Sequence, residues 1–127
     1  MSSKIMNFVD DDLQMLKLYG SMASAIDLPY KCYNKASEYL ADIPAQDGCS
    51  LLVLDLSMPD IDGFEVIKQF KTLKNPPSLI LVSGYDEQLI DSAIRLAKFY
   101  GFRTVESITK PFDIDSLSNR LTALVQG

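Results

Sequence analysis

LLVLDLSMPDIDG, residues 51–63, sets an aspartate at the end of an unbroken apolar run. Leu51 to Leu54 has no polar position, so it reads as a strand covered on both faces. Strands of that kind belong to parallel sheets packed between helices. Asp55 then falls at the rim of a dry interior, where an unpaired charge is costly. Its partners must come from other parts of the chain.

Working outward, short apolar runs alternate with segments of helical period. Ile5 to Val9 is expected as the first strand, and Met15, Leu18, Tyr19, Met22 and Ile26 recur at helical spacing before Pro29. YKCY (30–33) is expected as a strand, and Ala36 to Ile43 as a helix ended by Pro44. After the Gly63 turn, Val66, Ile67, Phe70 and Leu73 mark a helix that stops before Pro76 and Pro77. Leu79 to Val82 is a second fully apolar strand. Leu89, Ile90, Ala93, Ile94, Ala97 and Tyr100 form a helical stripe closed by Gly101. A strand within Arg103 to Ile108 and a helix carrying Ile114, Leu117, Leu121 and Leu124 complete the chain. Five strands alternating with five helices imply a doubly wound α/β fold, a three-layer sandwich around a five-stranded parallel sheet. The 127 residues, 47% hydrophobic and without a linker or repeat, are expected to form one domain over 1–127.

In such folds ligands bind beyond the carboxyl ends of the strands. The residues found there are Asp10, Asp11 and Asp12 after strand one, Asp55 after strand three, Ser83 and Gly84 after strand four, and Lys110 and Pro111 after strand five. Carboxylates a few Å apart repel, so the group needs a cation besides Lys110. The chain has no His, and Cys32 and Cys49 lack ligand spacing, which leaves a hard ion, Mg²⁺ or Mn²⁺. The two cysteines read as partly buried reduced thiols. A divalent ion, a lysine and a hydroxyl around a carboxylate suit phosphoryl transfer. Asp55 is then the nucleophile. Asp10 and Asp11 hold the metal with Asp55 and the backbone carbonyl of Ser57, while Ser83 and Lys110 bind phosphoryl oxygens. Gly84 leaves room for its loop to close. Asp12 is left to cap the first helix.

Composition excludes other classes. A net charge of -5 without a basic cluster argues against nucleic-acid binding. No apolar stretch approaches the roughly 20 residues needed to span a bilayer, and the N-terminus lacks a signal-peptide pattern, so a cytoplasmic location is expected. Without His, neither a Ser-His-Asp triad nor a Cys-His pair can be built.

FVDDD (8–12), LDLSMPDIDGFEV (54–66), LVSGYD (81–86) and TKPF (109–112) together make the chain resemble, end to end, the receiver domain of two-component response regulators. The resemblance implies a flavodoxin-like (βα)5 fold and a signalling domain rather than a turnover enzyme. It implies phosphotransfer from a phosphohistidine on a sensor histidine kinase or histidine phosphotransfer protein, followed by slow Mg²⁺-dependent loss of the phosphate. Asp55 corresponds to the phosphoacceptor, Asp10 and Asp11 to the acidic pair, Ser83 to the switch hydroxyl and Lys110 to the site lysine, with a cis Lys110–Pro111 bond. An output domain or effector, absent from this chain, is implied as partner, and homodimerisation is common in the family. AKFYGFRTVESITKPF (97–112) is similar to receivers that precede EAL-type cyclic-di-GMP phosphodiesterase domains.

One position departs from the pattern. Ser107 stands three residues before the lysine, where most receivers carry Tyr or Phe, so signal output is expected to use another part of the fourth-helix face, around Tyr85 or Phe102. The alternative function is a pseudo-receiver that works by protein contacts without phosphorylation. A phosphatase of the haloacid-dehalogenase type would need a second Asp two residues after the nucleophile, where Ser57 stands. Flavin binding fits poorly with the acidic DDDLQ loop (10–14), because a flavin phosphate wants bare amides and hydroxyls.

Overall fold

Pairing between strands follows directly from the apolar runs. The computed structural model describes residues 5–42, 49–56, 58, 63–72, 76–84, 86–102 and 104–126. Strands β1 (Ile5–Val9), β2 (Tyr30–Tyr33), β3 (Cys49–Asp55), β4 (Ser78–Ser83) and β5 (Val105–Thr109) form one parallel sheet in the order β2-β1-β3-β4-β5. Between them run α1 (Leu13–Ala25), α2 (Ala36–Asp42), α3 (Gly63–Lys68), α4 (Glu87–Phe99) and α5 (Ile114–Gln126). Strand order reverses between β1 and β3, and the crevice at that switch point is where such sheets bind ligands.

Alternation along each strand builds two cores. Leu52 and Leu54 of β3 and Leu79 and Leu81 of β4 face α2, α3 and α4. Leu51, Val53, Ile80 and Val82 face α1 and α5, against Leu16, Tyr19, Leu117 and Leu121. Every one of these side chains is nearly inaccessible to water. Both faces of the central strands β3 and β4 are therefore dry, as the polar-free runs at Leu51 and Leu79 require.

Differences from expectation are local. β3 and β4 each run one residue further than the apolar run, because Asp55 pairs with Val82 and Ser83 pairs with Thr109. Asp55 and Ser83 are thus the last residues of their strands. β5 starts at Val105 and ends at Thr109. α3 is shorter than its apolar stripe: helix gives way at Gln69–Thr72 to a tighter 3-10 turn ahead of the two prolines. On α1 the buried face is Leu16, Tyr19, Gly20, Met22 and Ala23, while Leu18 is 49% exposed. Tyr19 and Met22 are buried and Met15 and Ile26 pack against the same core as expected; Leu18 alone falls outside the stripe, and Leu16, Gly20 and Ala23 join it. A Cβ on Gly20 would come within 2.9 Å of the Tyr30 hydroxyl.

Caps end the helices as their residues dictate. Asp12 accepts the Gln14 and Met15 amides at the start of α1, and Asp86 accepts the Leu89 amide at the start of α4. Gly101 follows α4 with φ +95°, a conformation that suits glycine. Cys32 is exposed rather than partly buried, since β2 is an edge strand, and it is a free thiol. Expectations at Ile43, Pro44, Ser57, Leu73, Tyr85 and Arg103, and at the first four residues, lie outside the described residues.

Candidate functional site

Asp10 and Asp55 meet at the switch point because β1 and β3 are neighbours whose last paired residues are Val9 and Leu54. Both are buried, at 1% and 5% exposure, while Asp11 lies on the surface side of the pocket. Carboxylate oxygens of Asp10, Asp11 and Asp55 all lie within 4.8 Å of one another. Lys110 enters from β5, its Nζ 3.2 Å from Asp10 Oδ2 and 3.5 Å from Asp55 Oδ2. Its backbone amide donates to the Ser83 carbonyl at 2.7 Å, which extends the β4–β5 ladder and fixes the lysine beside the buried Ser83. Asp10, Asp11, Asp55, Ser83 and Lys110 are thus brought to one edge as expected, with a cis Lys110–Pro111 bond.

Electrostatics follow from that crowding. Burial raises the Asp10 carboxyl to about 6, and repulsion from Asp55 adds to the shift. The Asp12 amide, 2.9 Å from Asp10 Oδ1, and the Lys110 ammonium oppose it. For Lys110, burial works against the charged form, but Asp10 and Asp55 outweigh it and hold the ammonium above its ordinary value. Three carboxylates around one ammonium carry an excess of two negative charges, and the donor set is all hard oxygen. A divalent hard cation fits both facts. Asp10, Asp11 and Asp55 are the side chains that could hold it; the Ser57 carbonyl lies outside the described residues.

Two surroundings shape access. A groove of about 480 Å³ opens beside the pocket between α1 and the β5–α5 connection, lined by Asp12, Met15, Leu18, Gly84, Lys110 and Phe112 among others. Gly84 is exposed, and a Cβ there would meet nothing within 4 Å, so packing does not demand a glycine. Gly63 is the opposite case: a Cβ would lie 2.9 Å from the Leu56 Cα, one residue from Asp55.

At the position where an aromatic is usual, Ser107 is half-buried on β5. Arg120 of α5 donates Nη1 to the Ser107 carbonyl at 2.8 Å and sits 3.9 Å from Glu106. That clasp of strand to helix had no sequence signal, since Arg120 reads as a surface residue of an amphipathic helix. Phe102 is buried against Phe70, ring centroids 5.1 Å apart, as part of the α3–α4 core.

A doubly wound sheet with an acidic, lysine-bridged pocket at its switch point is the arrangement that the resemblance to a signalling receiver implies. The chain belongs to the response regulator receiver domain family, whose profile matches residues 7–122. It is 29% identical over 124 residues to the response regulator protein TodT of Pseudomonas putida, covering 98% of this chain and 52% of that protein. It is 30% identical over 113 residues to TmoT of Ectopseudomonas mendocina, covering 89% and 49%. The chain thus spans about half the length of these curated relatives. Among solved structures, a response regulator from Colwellia psychrerythraea superposes with a TM-score of 0.77 at 31% identity, covering 99% of this chain and 98% of that one. No described helix is long and apolar enough to cross a membrane.

Proposed function

We propose that this chain is a working receiver in which Asp55 accepts a phosphoryl group from a phosphohistidine. The observation that carries the reading is the convergence of Asp10, Asp11 and Asp55 oxygens within 4.8 Å, with Lys110 Nζ 3.5 Å from Asp55. In the transfer, an Asp55 carboxylate oxygen forms a bond to phosphorus as the phosphorus–nitrogen bond to the histidine breaks and its electron pair leaves with the imidazole. Lys110 and the Ser83 hydroxyl bind two of the phosphoryl oxygens in this reading. Mg²⁺ or Mn²⁺, held by Asp10, Asp11 and Asp55, would offset the charge of carboxylates and phosphoryl oxygens. The acyl phosphate is then lost slowly to water, so the domain signals rather than turns over substrate.

The donor is a sensor histidine kinase or a histidine phosphotransfer protein, and the groove beside Lys110, Met15 and Leu18 offers an apolar approach to the pocket. Output passes to an effector or further domain, with residues 1–127 acting as one receiver unit. Cyclic-di-GMP turnover is the output suggested by the sequence of residues 97–112, and the α4 face is the candidate for self-association.

Intact mass after incubation with acetyl phosphate and Mg²⁺ tests the reading. The parent should gain one phosphoryl group, and Asp55→Asn or omission of metal should leave the mass unchanged. A folded parent that never gains the group would favour a phosphorylation-independent pseudo-receiver.

A further inference from the structure

Tyr19 lies beneath the acidic pocket and does not behave as simple packing. Its ring stacks on Phe8, with centroids 4.8 Å apart and planes 11° from parallel. Phe8 on β1 and Asp10, one residue past its end, are two residues apart, and the Asp10 amide still bonds the Tyr33 carbonyl at 3.0 Å, so strand geometry persists and both side chains share one face. A ring stacked on Phe8 therefore carries its hydroxyl toward Asp10. Tyr19 is 1% exposed, and its hydroxyl reaches no partner at ordinary hydrogen-bond geometry. Among its charged neighbours, the Asp10 carboxylate acts on this hydroxyl most strongly, ahead of Asp55 and Asp12, and among the described residues it is the one group in bonding direction. A buried hydroxyl without a partner is unfavourable, and phenylalanine would fill the same space without that cost.

We propose that Tyr19 is a positioning residue of the cation site, its hydroxyl donating to the Asp10 carboxylate when that carboxylate turns from Lys110 to a divalent ion. The inference rests on the metal reading of the pocket given above. In the metal-free pocket Asp10 is already engaged by the Asp12 amide at 2.9 Å and by Lys110 at 3.2 Å. Drawing one oxygen toward a cation weakens the lysine contact, and the waiting phenol restores a donor at the dry side. Groups that orient a metal ligand from behind commonly change affinity by about tenfold or more when removed.

The test is a Mg²⁺ titration of the full chain, parent against Tyr19→Phe, followed by calorimetry and by tyrosine difference absorbance. Tyr19→Phe should melt no lower than the parent without metal, yet bind Mg²⁺ about tenfold more weakly. The parent should show a Mg²⁺-dependent tyrosine difference signal that the variant lacks. Leu16→Ala, a packing change in the same core, should lower the melting midpoint without moving the Mg²⁺ dissociation constant. Equal Mg²⁺ affinity in parent and Tyr19→Phe overturns the role of Tyr19 while leaving the metal site standing. A parent that binds no Mg²⁺ overturns both.

Discussion

Asp10→Asn is expected to be more stable than the parent at neutral pH, by about 1 to 2 kcal/mol, while losing its response to Mg²⁺. Burial and the neighbouring Asp55 raise the Asp10 carboxyl from 3.8 to about 6 in the folded chain. Each tenfold loss of acidity costs about 1.4 kcal/mol, which caps the effect at about 3 kcal/mol. Asparagine keeps an acceptor for the Asp12 amide but takes a charge partner from Lys110, which trims the gain. The sign of the pH dependence follows. Between 3.8 and about 6 the folded chain holds a proton that the unfolded chain has released, so parental stability falls as pH rises through this window. Above it the penalty is complete and constant. Melts of both proteins in metal-free buffer from about pH 4 to pH 8 should nearly coincide at the acid end and diverge toward neutrality. Parallel curves would show that Asp10 is not strained. With Mg²⁺ present the parent should recover stability and the variant should not.

Gly63→Ala should destabilise the fold by about 1 to 2 kcal/mol and slow phosphoryl incorporation at the same time. Two effects compete. Alanine favours helix over glycine by about 1 kcal/mol, less at a first position such as this one. Against that, the added Cβ would lie 2.6 Å from Leu56 Cδ2, which can rotate away, and 2.9 Å from Leu56 Cα, which cannot. Overpacking against backbone costs about 1 to 3 kcal/mol, so the clash wins. Because the Gly63 amide also donates to the Leu56 carbonyl at 3.2 Å, relief must move Leu56, the residue after Asp55. Gly84→Ala, where a Cβ meets open space, should stay within about 0.5 kcal/mol of the parent. Denaturant unfolding of the three proteins, with phosphorylation rates from acetyl phosphate, checks both claims. A Gly63→Ala chain as stable as Gly84→Ala would mean that the loop yields more easily than its contacts suggest.

Much of this architecture was legible because its physics is local. Polar-free runs at Leu51 and Leu79 demand cover on both faces, and the groups that follow them must then share an edge. Asp10, Asp55, Ser83 and Lys110 could be placed together on that ground alone. What stayed hidden depends on contacts between distant segments. Leu16 and Leu18 are equally apolar, and only the way α1 packs on the sheet shows that Leu16 is the buried one. Tyr19 read as one more apolar ring, since periodicity carries no information on where a hydroxyl points. Arg120 clasps the Ser107 carbonyl across an angle that helical spacing alone does not encode.

The strand that bears Asp55 belongs to both cores at once. Leu52 and Leu54 are locked on one side and Leu51 and Val53 on the other, with β1 and β4 flanking the strand. Such a strand is an anvil. It offers no slack in either layer, so a new charge at its tip cannot be relieved by retreat of the residue that carries it. Displacement must fall on whatever surrounds the tip, first on Ser83, Gly84 and Lys110, which hang from strands nearer the open edge of the sheet. If Asp55 takes a phosphoryl group as proposed, the stiffness of β3 would turn that chemical event into motion elsewhere.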